Sequence, residues 1–178
     1  YPHLAYAGIE IRYHDAVIAN AHVGRTLSVR PYFDPHVAVL KLFPGITREV
    51  VEAVLSVPSL RGVVMETFGS GNAPMMPWFL DALRAAVARG VVIVNVTQCV
   101  TGYVDMTRYE TGVLLEKIGL VSGRDATTEA ALTKLMYLLG QGFSSEEVSR
   151  LMAIPLRGEM SLDQEMEGFS REISIYRR

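Results

Sequence analysis

Hydrophobic and polar positions along this chain fall into blocks with a period near two and blocks with a period near 3.6, in regular alternation from His36 onward. Val91-Val92-Ile93-Val94 is an unbroken β-branched run, the pattern of a strand covered on both faces of a parallel sheet. Upstream, Val37–Leu42 reads as a strand that Pro44-Gly45 breaks, and Thr47 can cap a helix with Val50, Val51, Val54 and Leu55 on its apolar face. Pro58 ends that helix, Gly62–Phe68 forms a second strand, and Gly69–Pro74 a turn. Phe79, Leu80, Leu83 and Val87 then share one face of a helix that Gly90 stops. Two successive β-α-β units with right-handed crossovers make an α/β domain whose strands leave along one edge. That edge gathers Pro44-Gly45, the Gly69–Pro74 turn and the polar segment Thr97–Thr101, the rim where open α/β sheets hold ligands.

The flanks follow other patterns. Gly8–Tyr13 alternates like a half-buried strand, and Ala16–Ala19 and Leu27–Val29 predict further short strands, with turn residues Asn20 and Gly24 between them. Downstream, Thr107 with Glu110 predicts a capping box and a helix from Arg108 to about Ile118, with Tyr109 in its first turn. A helix over about Thr128 to Leu139 should bury Leu132, Leu135, Met136 and Leu139. The Ser144/Glu147 pair starts another, with Val148, Leu151 and Met152 inward. These patterns divide the chain into a connecting segment with a hairpin over 1–35, an α/β domain over 36–160 and a charged tail over 161–178.

Composition narrows the function classes. With 49% hydrophobic and 20% charged residues and a formal charge of -2, the chain is an ordinary globular one. Nothing in that balance attracts nucleic acid or an acidic lipid surface. One cysteine forms no internal disulfide, and without a signal sequence or a membrane-length apolar run a cytoplasmic setting is expected. The histidines and the cysteine show no metal-ligand spacing, so no metal and no cofactor is expected.

The chemistry legible in the rim is incomplete. Gly69-Ser70-Gly71-Asn72 joins a strand to a helix and could bring backbone amides to an anion, yet it lacks the dinucleotide-binding register and the P-loop lysine, so tight packing alone explains it equally well. Thr97 and Cys99 are possible nucleophiles with no histidine or lysine nearby in sequence to activate them. Tyr109, a phenol at a helix start beside a polar rim, could shuttle a proton or simply pack.

Five stretches in order carry a more specific resemblance: Gly69–Pro74, Val94–Cys99, Tyr109–Gly112, Leu132–Leu135 and Leu156–Met160. Together they resemble the C-terminal half of cytoplasmic (type I) L-asparaginases, over about Ala7 to Met160. A start at Tyr1 resembles the point just past that family's large N-terminal domain. The resemblance implies a three- to four-stranded parallel sheet flanked by helices, preceded by the inter-domain connection. It further implies hydrolysis of L-asparagine by a threonine nucleophile on the N-terminal asparaginase domain, whose motifs do not occur here, in a homo-oligomer, dimer or tetramer. The small domain would complete a neighbouring subunit's site, with Asn72 binding substrate and Tyr109 as the catalytic residue contributed here. Bacterial cytoplasmic members also carry an asparagine effector pocket at the positions of Glu66, Asn72, Thr97 and Cys99. They have arginine where this chain has Glu66, an exchange that should repel the effector's carboxylate. Vertebrate relatives attach ankyrin repeats after this region and are also credited with lysophospholipase activity. The alternatives are an amidotransferase subunit releasing ammonia for tRNA-dependent amidation, and a non-enzymatic dimerisation or amino-acid-binding module.

Overall fold

Strand β4 (Gly62–Thr67) and strand β5 (Val92–Thr97) form the centre of a four-stranded parallel sheet in a computed structural model that describes residues 4–13, 28–100 and 102–161. Strand β3 (Val37–Lys41) flanks β4, and the two-residue strand β6 (Val121–Ser122) flanks β5, giving the order β3-β4-β5-β6. Helix α1 (Arg48–Leu55) connects β3 to β4 and helix α2 (Pro77–Ala88) connects β4 to β5. Helix α3 (Glu110–Ile118) leads to β6, and α4 (Thr128–Gly140) and α5 (Ser145–Met152) follow. The α/β class and the parallel sheet agree with the sequence pattern. An earlier hairpin pairs β1 (Ala5–Ala7) antiparallel with β2 (Ile11–Tyr13).

Burial explains the apolar runs. Along β4 and β5, Val63, Met65 and Ile93 point to one face, where Leu42, Val51, Phe79, Leu83 and Leu115 complete a core beneath α1, α2 and α3. Their neighbours Val64, Val92, Val94 and Val96 point to the other, against Leu135, Leu138, Leu139, Val148 and Leu151 of α4 and α5. A strand packed on both faces has no polar side to show, which is why Val91–Val94 carries no alternation.

Several expectations are corrected. Gly8–Tyr13 is not one strand: Gly8, Ile9 and Glu10 form the bend between β1 and β2. Ala16–Ala19, Asn20, Gly24 and Leu27 lie outside the described residues, as do Thr101 and 162–178, while Ser28 and Val29 belong to no strand. The Thr107/Glu110 capping box does not form, because the Asp105 carboxylate takes both the Thr107 amide (3.0 Å) and its hydroxyl (2.7 Å). The helix begins at Glu110, and Tyr109 is its N-cap in extended conformation (φ -129, ψ 150), not a first-turn residue. On α1, Val50 is exposed. On α4, the face is rotated: Ala131, Lys134 and Leu138 are buried beside Leu135 and Leu139, and Leu132 and Met136 only half so.

The Ser144/Glu147 capping box is present in both directions. Ser144→Ala should lower stability by about 1 kcal/mol, read as a shift of the urea midpoint with an unchanged slope. The segment entering the domain is fastened as well. Asp34 donates its amide to the Met136 carbonyl (2.9 Å), and its carboxylate meets Arg61 (2.6 Å) and His36 (2.8 Å). Burial pushes the Asp34 carboxyl up, but the hydrogen bonds from His36 and Arg61 hold it below its ordinary range.

A candidate active-site edge

In a parallel sheet all carboxyl ends share one edge, and here that edge carries the loops after β3, β4 and β5. The loop after β4 is a closed turn. Phe68 and Asn72 exchange backbone bonds, the Phe68 amide to the Asn72 carbonyl at 2.9 Å and the Asn72 amide to the Phe68 carbonyl at 2.8 Å. Gly69 and Gly71 lie at φ +52 and +105, the left-handed region where glycine is favoured. At Gly71 a Cβ would also come 2.7 Å from Val104 and 3.1 Å from the Asn95 amide nitrogen, so nothing larger fits.

Side chains from β4 and β5 hold this turn from below. Asn95, with no exposed surface, donates its amide to the Gly71 carbonyl at 3.0 Å. Thr67, equally buried, reaches the Asn95 side-chain oxygen at 2.6 Å, with the Val96 carbonyl at 3.0 Å. The Thr97 hydroxyl donates to the Gly69 carbonyl and accepts from the Cys99 amide at 3.0 Å. That proton is committed to the turn, so Thr97 is a staple in this arrangement and poorly placed as a nucleophile. Gln98 bridges the exits of β3 and β4, its side-chain amide 2.6 Å from the Leu42 carbonyl and 2.9 Å from that of Glu66.

The loop leading to Tyr109 leans on the same turn. The Asp105 amide donates to the Ser70 carbonyl at 3.0 Å, and the Val104 amide to the Arg124 carbonyl at 2.9 Å. Hydrogen bonds from the Thr107 hydroxyl and from the Thr107 and Arg108 amides, with the Arg108 charge, keep the Asp105 carboxyl below its usual range although partial burial opposes them. Below the helix start, a Cβ on Gly112 would fall 2.6 Å from the Met106 carbonyl oxygen, so α3 sits flush against the loop. Tyr109 is 48% exposed, with the Arg108 guanidinium carbon 5.8 Å from its ring centroid, within reach of a cation–π contact.

Glu66 lies on the α4 face, opposite to Asn95 and Thr97. The Thr128 hydroxyl donates to its carboxylate at 2.7 Å, and Lys41 approaches to 3.1 Å. Burial raises the Glu66 carboxyl, but those two partners prevail and hold it low. Cys99 is exposed at the rim. Thus the structure joins Asn72, Thr97 and, through its backbone, Cys99 around one turn, brings the Tyr109 loop onto that turn through Ser70, and engages Glu66 with partners of its own. Thr67 and Asp105 are the rim residues the sequence pattern passed over. Thr67 looks like any strand threonine, whereas Asp105, two residues before Thr107, was legible as a turn-former.

The edge is also apolar. Phe43, Met75, Met76, Val100, Tyr103 and Tyr109, all on strand-exit loops, are between 42% and 101% exposed.

The four-stranded parallel sheet flanked by helices, with a polar turn clamped at its carboxyl ends amid uncovered apolar side chains, is a small α/β domain. Residues 36–152 match the family described as the Glutaminase/Asparaginase C-terminal domain, and the chain belongs to that family. It is 44% identical to the 60 kDa lysophospholipase of Mus musculus, covering 90% of this chain and 28% of that protein. It is 40% identical to L-asparaginase 1 of Escherichia coli (strain K12), covering 91% and 47%. The crystal structure of L-asparaginase I from Vibrio cholerae superposes with a TM-score of 0.83 at 43% identity, over 91% of this chain and 48% of that one. The chain therefore spans less than half the length of these relatives.

Proposed function

We propose that this chain is the small domain of an L-asparaginase that converts L-asparagine to L-aspartate and ammonia. The reaction runs through a threonine on a large N-terminal domain. The threonine oxygen attacks the side-chain amide carbon, the C–N bond breaks and ammonia leaves with the proton, and water then cleaves the acyl ester to aspartate. This chain's part is to close a neighbouring subunit's site. Asn72 meets the α-amino or carboxylate end of the substrate, and Tyr109 joins the proton network of the nucleophile.

The observation that supports this reading best is the state of the edge itself. Asn72 and Tyr109 lie on loops that lean on one another, among large apolar side chains left open in the isolated chain. Such a surface fits a protein partner better than bulk water. The Thr97 hydroxyl is used inside the turn, which fits a nucleophile supplied from elsewhere.

The working unit is then a homo-oligomer, dimer or tetramer, in the cytoplasm. Among the described residues no helix is long and apolar enough to cross a membrane. Glu66, paired with Lys41 and Thr128, puts a carboxylate where an asparagine effector's own carboxylate would need a cation, which argues against effector control in that form through Glu66, Thr97 and Cys99. A glutamyl-tRNA(Gln) amidotransferase polypeptide of Metallosphaera sedula is 35% identical over 87% of this chain, which keeps ammonia release from glutamine as the second reading.

Subunit mixing tests the shared site. Two-domain enzyme carrying Tyr109→Phe is combined with enzyme whose large-domain nucleophile is removed, each alone nearly inactive. An equal mixture contains sites with both groups intact and should regain about a quarter of the native rate per site, the fraction that random pairing of the two subunits in a closed oligomer gives. No recovery, with mixing verified by mass, would place both groups in one subunit.

A further inference from the structure

We infer that Thr67 and Asn95 are positioning residues, which set the asparagine-binding turn by holding its backbone and act on substrate only through Asn72; this rests on the proposed role of Asn72. The three carbonyls preceding Asn72 each have a separate partner. Gly69 is held by the Thr97 hydroxyl, Ser70 by the Asp105 amide and Gly71 by the Asn95 side chain. Asn95 in turn is held by Thr67, whose hydroxyl donates to its side-chain oxygen while the Gly71 carbonyl takes its nitrogen.

The placement is informative because it is poor design for stability alone. Thr67 and Asn95 have no exposed surface in a layer otherwise made of Val63, Met65, Ile93, Phe79 and Leu83. Burying a hydroxyl and an amide gains little even when both are satisfied, and an apolar pair of the same shape would be nearly neutral or better. What an apolar pair could not do is hold a carbonyl at a turn whose glycines have no conformational restraint of their own. The clamp also reaches the second loop. Asp105 bonds Ser70 through its amide and Thr107 through its carboxylate, contacts that involve neither Thr67 nor Asn95 and keep the Tyr109 loop anchored when either is changed.

In the two-domain enzyme, Thr67→Val keeps the volume and removes the hydroxyl, leaving Asn95 free to rotate. The expected result is a KM for asparagine raised about tenfold, the size of one weakened substrate hydrogen bond, with kcat changed less than threefold. Thr67→Ser returns the hydroxyl and should bring KM back to within about twofold of native. Combined with Asn72→Ala, Thr67→Val should add nothing, because its effect passes through the residue already removed. Thr97→Val, at the half-exposed end of the clamp, carries the same expectation and serves if Thr67→Val does not fold. A folded Thr67→Val with native KM, or one whose loss multiplies fully with that of Asn72→Ala, overturns the inference and leaves the proposed function standing. A native KM in Asn72→Ala removes the substrate role of Asn72, and the positioning role with it.

Discussion

In the two-domain enzyme proposed above, replacing Tyr109 by phenylalanine is expected to lower kcat/KM for asparagine hydrolysis by about 10²–10⁴-fold, the usual worth of a positioned proton-transfer group, while the melting temperature stays within about 1 °C. The structure separates these two outcomes. Tyr109 is half-exposed, and its structural services come from atoms that phenylalanine keeps. The backbone carbonyl accepts the first bond of α3 from Val113 at 3.1 Å, the extended N-cap conformation demands no hydroxyl, and the ring stays under Arg108. Only the phenol oxygen is lost. If that oxygen joins the nucleophile's proton network as proposed, the loss should fall mainly on kcat, the reverse of the pattern expected at Thr67. Ammonia release under saturating and limiting asparagine measures the split, and a thermal melt checks the fold. A native rate in a folded variant would take Tyr109 out of the mechanism and reduce it to part of the apolar edge.

What the sequence disclosed and what it withheld divide along a physical line. Features set by local chemistry were legible. Val91–Val94 is β-branched, lies between Gly90 and a polar rim, and becomes the buried start of β5 with the residue before it. The box Ser144/Glu147 forms as expected. The same pattern at Thr107/Glu110 fails, because Asp105 captures the threonine first and the chain turns once more before the helix starts. Features set by distant partners were not legible. Thr67 has an ordinary strand residue's propensity, and only the register that sets Met65 beside Asn95 and Thr67 beside Thr97 brings it under the turn. Lys134 is not among the residues expected to be buried on α4, since its counterion lies in the segment after α5. Motifs can thus point to a residue without showing whether it faces ligand or core. Asn72 and Tyr109 stand at the rim, whereas the Leu132–Leu135 and Leu156–Met160 stretches meet each other inside the domain.

That meeting sets the largest expected effect on stability. The Lys134 ammonium is 2.8 Å from the Glu159 carboxylate, is 6% exposed at its side chain, and spends its other hydrogens on the Met152 and Ile154 carbonyls. Glu159 accepts as well from the Leu156 amide at 2.8 Å and the Arg157 amide at 2.6 Å, so the chain after α5 is tied down at one carboxylate. Glu159→Gln keeps an acceptor for those amides but strands a buried cation. It should cost about 3–5 kcal/mol, on the order of 10 °C in melting temperature for a domain of this size. Lys134→Met added to Glu159→Gln removes the stranded charge and should recover most of that loss, a non-additivity that a mere packing defect would not give. The pair also dictates a pH dependence. Burial pushes the Glu159 carboxyl up, but the Lys134 charge and the three hydrogen bonds outweigh it, so the folded value lies below the ordinary 4.5. A depressed carboxylate contributes stability that is complete above about pH 4.5 and is lost as pH falls through the folded value. Burial lowers Lys134 from 10.5 against the pull of Glu159, so its protonated form carries a cost at neutral pH that is relieved only as pH rises through that lowered value. Below pH 4.5 the native protein should therefore lose stability more steeply than the double variant, by urea titration across the acid limb. Parallel acid limbs would mean that the carboxylate's pairing is not what holds the segment after α5 in place.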